Sequence, residues 1–184
     1  MKDEGGRMKD EVIVRKANIA GHLGYLRYVL RHKWYVALEC FKAGLFWRGI
    51  IHDWSKFLPD EWFAYANHFY GRNRPTRQTI GYSKVNDQGD AAFDYGWLVH
   101  QKRNKHHWQW WILQNDEDGL GLLVMPEKYR QEMLADWRGA GRAQGYGDNT
   151  PAWYLKNRDK MILHQETRSW VESALHVNTA EASA

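Results

Sequence analysis

The sequence predicts an all-α fold, a single-domain helical bundle, and three observations predict it. Apolar residues recur at helical spacing in successive stretches, helix start and stop signals flank those stretches, and no segment alternates convincingly as a half-buried strand would. A chain of 184 residues is long enough for one substantial core. The expected organisation is a charged lead-in over 1–16, one helical domain over 17–175 with a long loop at 71–90, and a polar tail over 176–184.

The first helix is expected from about Ala17 to Lys42, with Tyr25, Val29, Val36 and Cys40 on one stripe and His32 on the same stripe. Gly44 is a plausible C-cap. The apolar run Leu45, Phe46, Trp47, Ile50 and Ile51 then leads to the adjacent pair His52-Asp53. Pro59 at the first helical position, with Asp60 and Glu61 in the first turn, starts a helix through Trp62, Tyr65, Ala66 and Phe69. Residues 71–90 carry no period; Arg72, Arg74, Arg77 and Lys84 there either gather phosphates or are solvated loop charge. Residues 91–113 read as one long helix that tolerates Gly96, and 115–121 as a turn. Pro126 opens a helix carrying Met133, Leu134 and Trp137 that runs into the glycine-rich stretch 138–147, and a last helix spans roughly Pro151 to Leu175.

Composition narrows the function classes. The formal charge is +4, with basic and acidic residues interspersed, which argues against a dedicated nucleic-acid arm. A single cysteine, Cys40, excludes an internal disulfide framework and a cysteine-based zinc ribbon, and fits a reducing compartment. No apolar run approaches a membrane span and Met1 to Asp10 is charged rather than signal-like, so a soluble, cytoplasmic protein is expected. Eleven tryptophans and nine histidines are the unusual counts. Either the core is rich in tryptophan or some of the indoles line a cleft or contact surface.

The chemistry centres on His52 and Asp53. Imidazole and carboxylate are common metal ligands, and side by side at a helix end they approach one ion from neighbouring directions. If the helix continues, Lys56 shares their face and sets an ammonium where a phosphate would sit. The bland reading is a satisfied helix-end histidine with an N-cap aspartate. On the 91–113 helix, His100, Arg103, Asn104 and His107 fall on one face with Trp111, while His106 points about 100° away from His107. That face is a wall for a polar cleft or a solvated surface. Asp136, with Glu132 one turn earlier, is flanked by Met133, Leu134 and Trp137; it is either a metal ligand or the partner of Arg138 or Arg142.

The order His…His-Asp…His…His-His…Asp on successive helices resembles the HD superfamily of metal-dependent phosphohydrolases, through His32 with Val36 at i+4, His52-Asp53-Trp-Ser-Lys56, and Asp136. From His22 to Val171 the chain is also similar to a family of uncharacterised phage and bacterial proteins, through HDWSKF, AFDYGWLVHQKRNKHHWQWW and EMLADWRGAGRAQG. The His32-to-His52 gap is shorter than in most HD enzymes. His22 is an alternative first ligand with a more typical gap; on one straight helix it would lie about 15 Å from His32, so both cannot bind one ion. Trp108 stands where the cyclic-dinucleotide phosphodiesterase branch has a glutamate.

The HD resemblance implies an HD-like bundle holding one or two divalent ions per chain (Mn, Fe, Zn, Co or Mg). His32, His52, Asp53 and Asp136 would take the first ion. His100, with His106 or His107, would recruit a second or face the leaving group. Lys56 and Arg103 would stabilise phosphate charge, while Asn104, Trp108, Trp111 and Arg142 would contact a nucleotide or nucleotide second messenger. In a phage-encoded protein that chemistry would act on host nucleotide signalling or pools, in the host cytoplasm. The alternatives are a non-catalytic module whose Trp/His/Arg-rich helix 97–111 binds nucleic acid, nucleotide or a host protein, and a metal that only staples the fold.

Overall fold

The structure, a computed structural model, describes residues 16–71, 90–117 and 119–177. The lead-in, the loop cations Arg72, Arg74, Arg77 and Lys84, and the tail from 178 lie outside the described residues. Seven α-helices account for most of the rest: α1 (Ile19–Lys42), α2 (Phe46–Ile51), α3 (Pro59–Tyr70), α4 (Ala91–Arg103), α5 (Glu127–Ala143), α6 (Thr150–Asn157) and α7 (Gln165–Ala174). Single 3-10 turns occupy Trp54–Phe57, Trp108–Trp111 and Arg158–Lys160. The class is mainly α, as the periodicity predicts.

α1 starts where the Asn18 side chain accepts from the Gly21 amide at 2.9 Å. Its buried stripe is Tyr25, Val29, His32, Val36 and Cys40, joined by Glu39. After Ala43, Gly44 takes φ +74°, a left-handed value that glycine adopts without strain, and the chain reverses into α2. α3 begins at Pro59 with Asp60 and Glu61 in its first turn, as expected.

Three expectations need correction. The helix expected over 91–113 stops at Arg103, because the Asn104 side chain turns back to donate to the His100 carbonyl at 2.9 Å and occupies the helix end. The segment beyond it is a turn, a 3-10 turn and then a strand. That strand, β1 (Ile112–Asn115), pairs antiparallel with β2 (Gly119–Leu122), where a turn alone was expected. Gly119, at φ +79°, lets the chain re-enter the pairing. The helix expected from Pro151 to Leu175 is two helices: 161–164 are non-helical, and the Arg168 guanidinium donates to the carbonyls of Arg158 and Met161.

Two glycines set the spacing of the bundle. At Gly139 on α5 a methyl group would lie 2.4 Å from Val36 Cγ2 and 2.8 Å from the Val36 amide nitrogen on α1. At Gly96 on α4 it would lie 2.6 Å from Ala64 Cβ on α3. Buried apolar residues form one cluster around Tyr25, Val29, Tyr65, Phe69 and Phe93, and another around Met125, Met133, Leu134, Tyr154 and Val171. A small third cluster, Val36, Cys40 and Ala135, lies at the α1–α5 contact. The helices carrying these clusters also carry the polar residues that follow.

Candidate metal centre

His52 caps the end of α2, and Asp53 takes φ 52°, ψ 27°, a left-handed conformation that costs a non-glycine residue energy and marks a place held by its surroundings. Lys33 Nζ from α1 donates to the carbonyls of Ile50 and His52, satisfying helix-end acceptors. The helix therefore does not continue to Lys56 as the shared-face argument requires. Lys56 comes back on the 3-10 turn instead, with Nζ 2.5 Å from Asp53 Oδ2. The ammonium reaches the Asp53 carboxylate by a different route.

Four donor atoms converge on one side of Asp53. His32 Nε2 lies 3.3 Å from Asp53 Oδ2 and 3.1 Å from Asp136 Oδ1. His52 Nε2 lies 3.5 Å from each of those oxygens and 3.4 Å from His32 Nε2. A tetrahedron of nitrogen and oxygen ligands about 2.0–2.2 Å from an ion has edges of about 3.3–3.6 Å, so these separations suit a single ion.

A second group gathers on the other oxygen. Asp53 Oδ1 lies 3.4 Å from His100 Nε2 and 3.3 Å from His106 Nε2, and His107 completes a set whose ligand atoms lie within 4.8 Å of one another. Asp53 Oδ1 and Nε2 of His100, His106 and His107 are all buried without a hydrogen-bond partner. Buried polar atoms are nearly always satisfied, so four such atoms facing one point are the arrangement a cation would complete. His106 and His107, expected to diverge by about 100° on a helix, converge because the chain is no longer helical there.

Buried carboxylates steer the imidazoles from behind. Glu132 Oε1 lies 3.2 Å from His52 Nδ1 and 3.4 Å from His106 Nδ1, and Arg48 Nη1 holds the other oxygen at 2.6 Å. Glu61 Oε2 lies 2.7 Å from His100 Nδ1 and 3.0 Å from Ser55 Oγ, while Arg103 Nη1 donates to Oε1 at 3.0 Å. Histidines backed in this way present Nε2 inward, as metal-binding histidines do.

Burial works against ionising Asp53, but His52 and Lys56 outweigh it and hold the carboxyl well below its usual range. Asp136 is held low in the same way by His32 and His52. Burial likewise opposes the His106 imidazolium, yet Asp53 and Glu132 push its pKa up to about 10. Burial lowers His100 and His107 well below their ordinary value and keeps them neutral, the form in which imidazole ligates. Protonated histidine and Lys56 thus balance the carboxylates where a divalent cation could.

The remaining candidates stand outside the two donor sets. His22 stays outside, its Nδ1 accepting from Trp62 Nε1 at 3.1 Å, so His32 is the histidine of α1 that joins the cluster. Arg103 pairs with Asp60 at 2.7 Å and with Glu61, one residue removed from the donor sets. Asn104 donates to Ser55 Oγ at 2.8 Å and to the His100 carbonyl. Arg142 pairs with Glu39 and Asp148, away from the donor atoms, and Arg138 lies near the same two acids, so neither is the partner of Asp136. Trp108 and Trp111 pack on the C-terminal cluster and line a cleft with Leu123, Met125 and Ile162. The most exposed indoles are instead Trp34 on α1, Trp47 on α2 and Trp54 on the 3-10 turn that follows.

Glu61, Arg48, Ser55 and Lys33 are participants that spacing does not reveal, since each meets the histidines only through the tertiary fold. Glu132 is legible in the sequence as the carboxylate one turn before Asp136, but its contact with two histidines is not. Among the described residues, no helix is long and apolar enough to cross a membrane. The family model described as "Family of unknown function (DUF5662)" matches residues 21–177. No curated protein and no solved structure gives a significant match.

Proposed function

The chain belongs to that family of unknown function, and we propose that it is a metal-dependent phosphohydrolase holding two divalent ions across Asp53 and cleaving a phosphoester of a nucleotide or nucleotide second messenger. The observation that carries the reading is the division of labour at Asp53, one carboxylate oxygen turned to each of two buried donor sets. The resemblance of His32, His52-Asp53 and Asp136 to the HD ligand order supports the same reading.

His32, His52, Asp53 and Asp136 would hold the first ion, and Asp53, His100, His106 and His107 the second. Mixed imidazole and carboxylate donors suit Mn, Fe, Zn or Co, and leave Mg the poorest fit. Bound there, the ions would supply Lewis-acid charge for a phosphoryl oxygen and raise the acidity of a water. The chain's own work is to fix the donors on α1, α4, α5 and the turns at 52–53 and 106–107, to exclude bulk water from them, and to keep Lys56 at the carboxylate edge as the cation nearest an incoming phosphate. Arg103, paired with Asp60 and Glu61, acts behind His100 rather than on phosphate. Trp108 and Trp111 line their cleft with Leu123, Met125 and Ile162, and a base could stack there.

The rival reading, a non-catalytic binding module, draws its support from a different place than the 97–111 segment. There Trp110 and Trp111 spend their indole N–H groups on the carbonyls of Lys102 and Lys105. The exposed aromatic surface of Phe46, Trp47 and Trp54 is what would favour it.

The test is the metal content of untagged protein after incubation with Mn²⁺ or Zn²⁺ at neutral pH, followed by hydrolysis of bis(p-nitrophenyl) phosphate and a panel of nucleotides and cyclic nucleotides. Two ions per chain with turnover, both lost in a folded Asp53→Asn variant, are the expected result. Protein that binds no ion overturns the hydrolase reading. Protein that binds ions without turning over any phosphoester reduces them to a structural staple.

A further inference from the structure

We infer that Glu132 is a shared positioning residue: one of its oxygens orients a histidine from each donor set, so both ions depend on a side chain that touches neither. The inference rests on the proposed metal centre and deepens it.

An imidazole offers Nε2 to a cation only when its remaining proton is on Nδ1. An acceptor fixed at Nδ1 selects that tautomer and the ring's orientation. His52 belongs to the first set and His106 to the second, and their ring centroids are 4.4 Å apart. Both Nδ1 atoms face the same oxygen, Glu132 Oε1, at 3.2 and 3.4 Å. The carboxylate has little freedom to turn away. Its residue is 3% exposed, its other oxygen takes Arg48 Nη1 at 2.6 Å, and that guanidinium lies 4.0 Å from the centre of the Tyr129 ring. Glu132 also stands one helical turn before Asp136 on α5, so a single helix face supplies a donor to the first ion and alignment to both.

The other buried carboxylate behaves differently. Glu61 reaches Nδ1 of His100 alone, which belongs to the second set only. His32 Nδ1 is buried without a partner, so among the described residues Glu132 is the one acid steering a histidine of the first set. The two acids therefore predict different patterns of loss.

In Glu132→Gln the amide has one oxygen for two duties. With that oxygen toward the histidines, the NH₂ group meets the Arg48 donor. Flipped, the NH₂ group faces both Nδ1 atoms and drives their protons to Nε2. Either arrangement spoils both sets.

The experiment titrates Zn²⁺ into wild type, Glu132→Gln and Glu61→Gln in competition with a chelator, with folding checked by circular dichroism. Co²⁺ absorption reports the geometry of each site. Glu132→Gln is expected to weaken both ions about 10–100-fold, and Glu61→Gln one ion by a similar factor. Arg48→Gln, which leaves the carboxylate in place, is expected to loosen both ions by a smaller common factor, and it decides the matter if Glu132→Gln does not fold. A wild type that binds two ions, with either affinity untouched in these Glu132 and Arg48 variants, overturns the inference and leaves the metal centre standing. A wild type that binds no ion overturns the metal centre itself and the inference with it.

Discussion

Nδ1 of His100 lies 2.7 Å from Oε2 of Glu61, and neither side chain has exposed surface. A carboxylate so placed needs donors, and it has three: His100, Ser55 and Arg103. Arg103 is the one that brings charge. Arg103→Met leaves a buried acid short of its cation, and a lost hydrogen bond to a charged group costs about 2 kcal/mol. Urea unfolding should show a lower midpoint with an unchanged slope. A midpoint equal to wild type would show that Glu61 is satisfied without Arg103.

How much of this centre could be read from the chain depends on how each residue gets there. His32 and Asp136 lie on regular helices, so their inward direction follows from the apolar residues beside them, Val29 and Val36 in one case and Met133 in the other. His52 and Asp53 are visible as a pair, but the left-handed turn at Asp53 that gives each oxygen its own donor set leaves no periodic trace. His106 and His107 lie off the helix that their spacing predicts, for a definite reason. Aromatic and histidine residues at intervals of three and four imitate a helix, while the actual end is made by one local bond from the Asn104 side chain. Glu61 looked like a helix-start acid, and its second role depends on His100, 39 residues away.

The α1–α5 contact supplies a prediction linking packing to the site. A methyl group at Gly139 would press within 3.1 Å of Val36 Cα and nearer still to its amide nitrogen, backbone that cannot rotate away. Asp136 is three residues earlier on the same helix and its Oδ1 lies 3.1 Å from His32 Nε2 on the facing one. Gly139→Ala should cost roughly 1–3 kcal/mol through overpacking and should also weaken the first ion by separating those two ligands. Thermal unfolding and metal titration check the two halves; a variant with unchanged stability removes the close contact from the account.

Cys40 gives a prediction about pH. Burial, reinforced by the nearby carboxylates of Glu132 and Asp136, pushes its thiol up to about 12 from the ordinary value of 9.0. A raised thiol favours the neutral form, so its contribution to stability is complete below pH 9 and is lost as pH rises towards 12. At pH 8 a thiol reagent such as iodoacetamide should leave the native protein unmodified over the time in which urea-unfolded chain reacts fully. Rapid native labelling would place Cys40 at the surface.

The metal centre itself predicts a pattern in thermal stability that separates shared from unshared ligands. A ligand that binds only the folded chain stabilises it by mass action, about 2.7 kcal/mol for each ion at 100 times its dissociation constant. Two ions should therefore add about 5 kcal/mol, and in a chain of this length each kcal/mol moves the midpoint by about 2–4 °C. Zn²⁺ or Mn²⁺ should raise the wild-type midpoint by roughly 10–20 °C, reversibly with a chelator. Asp136→Asn, whose carboxylate serves the first set only, should keep about half of that rise. Asp53→Asn should keep almost none, because one substitution takes a donor from both sets. Equal losses in the two variants would mean that Asp53 serves a single ion and that Oδ1 and the three unpartnered nitrogens around it are satisfied in some other way.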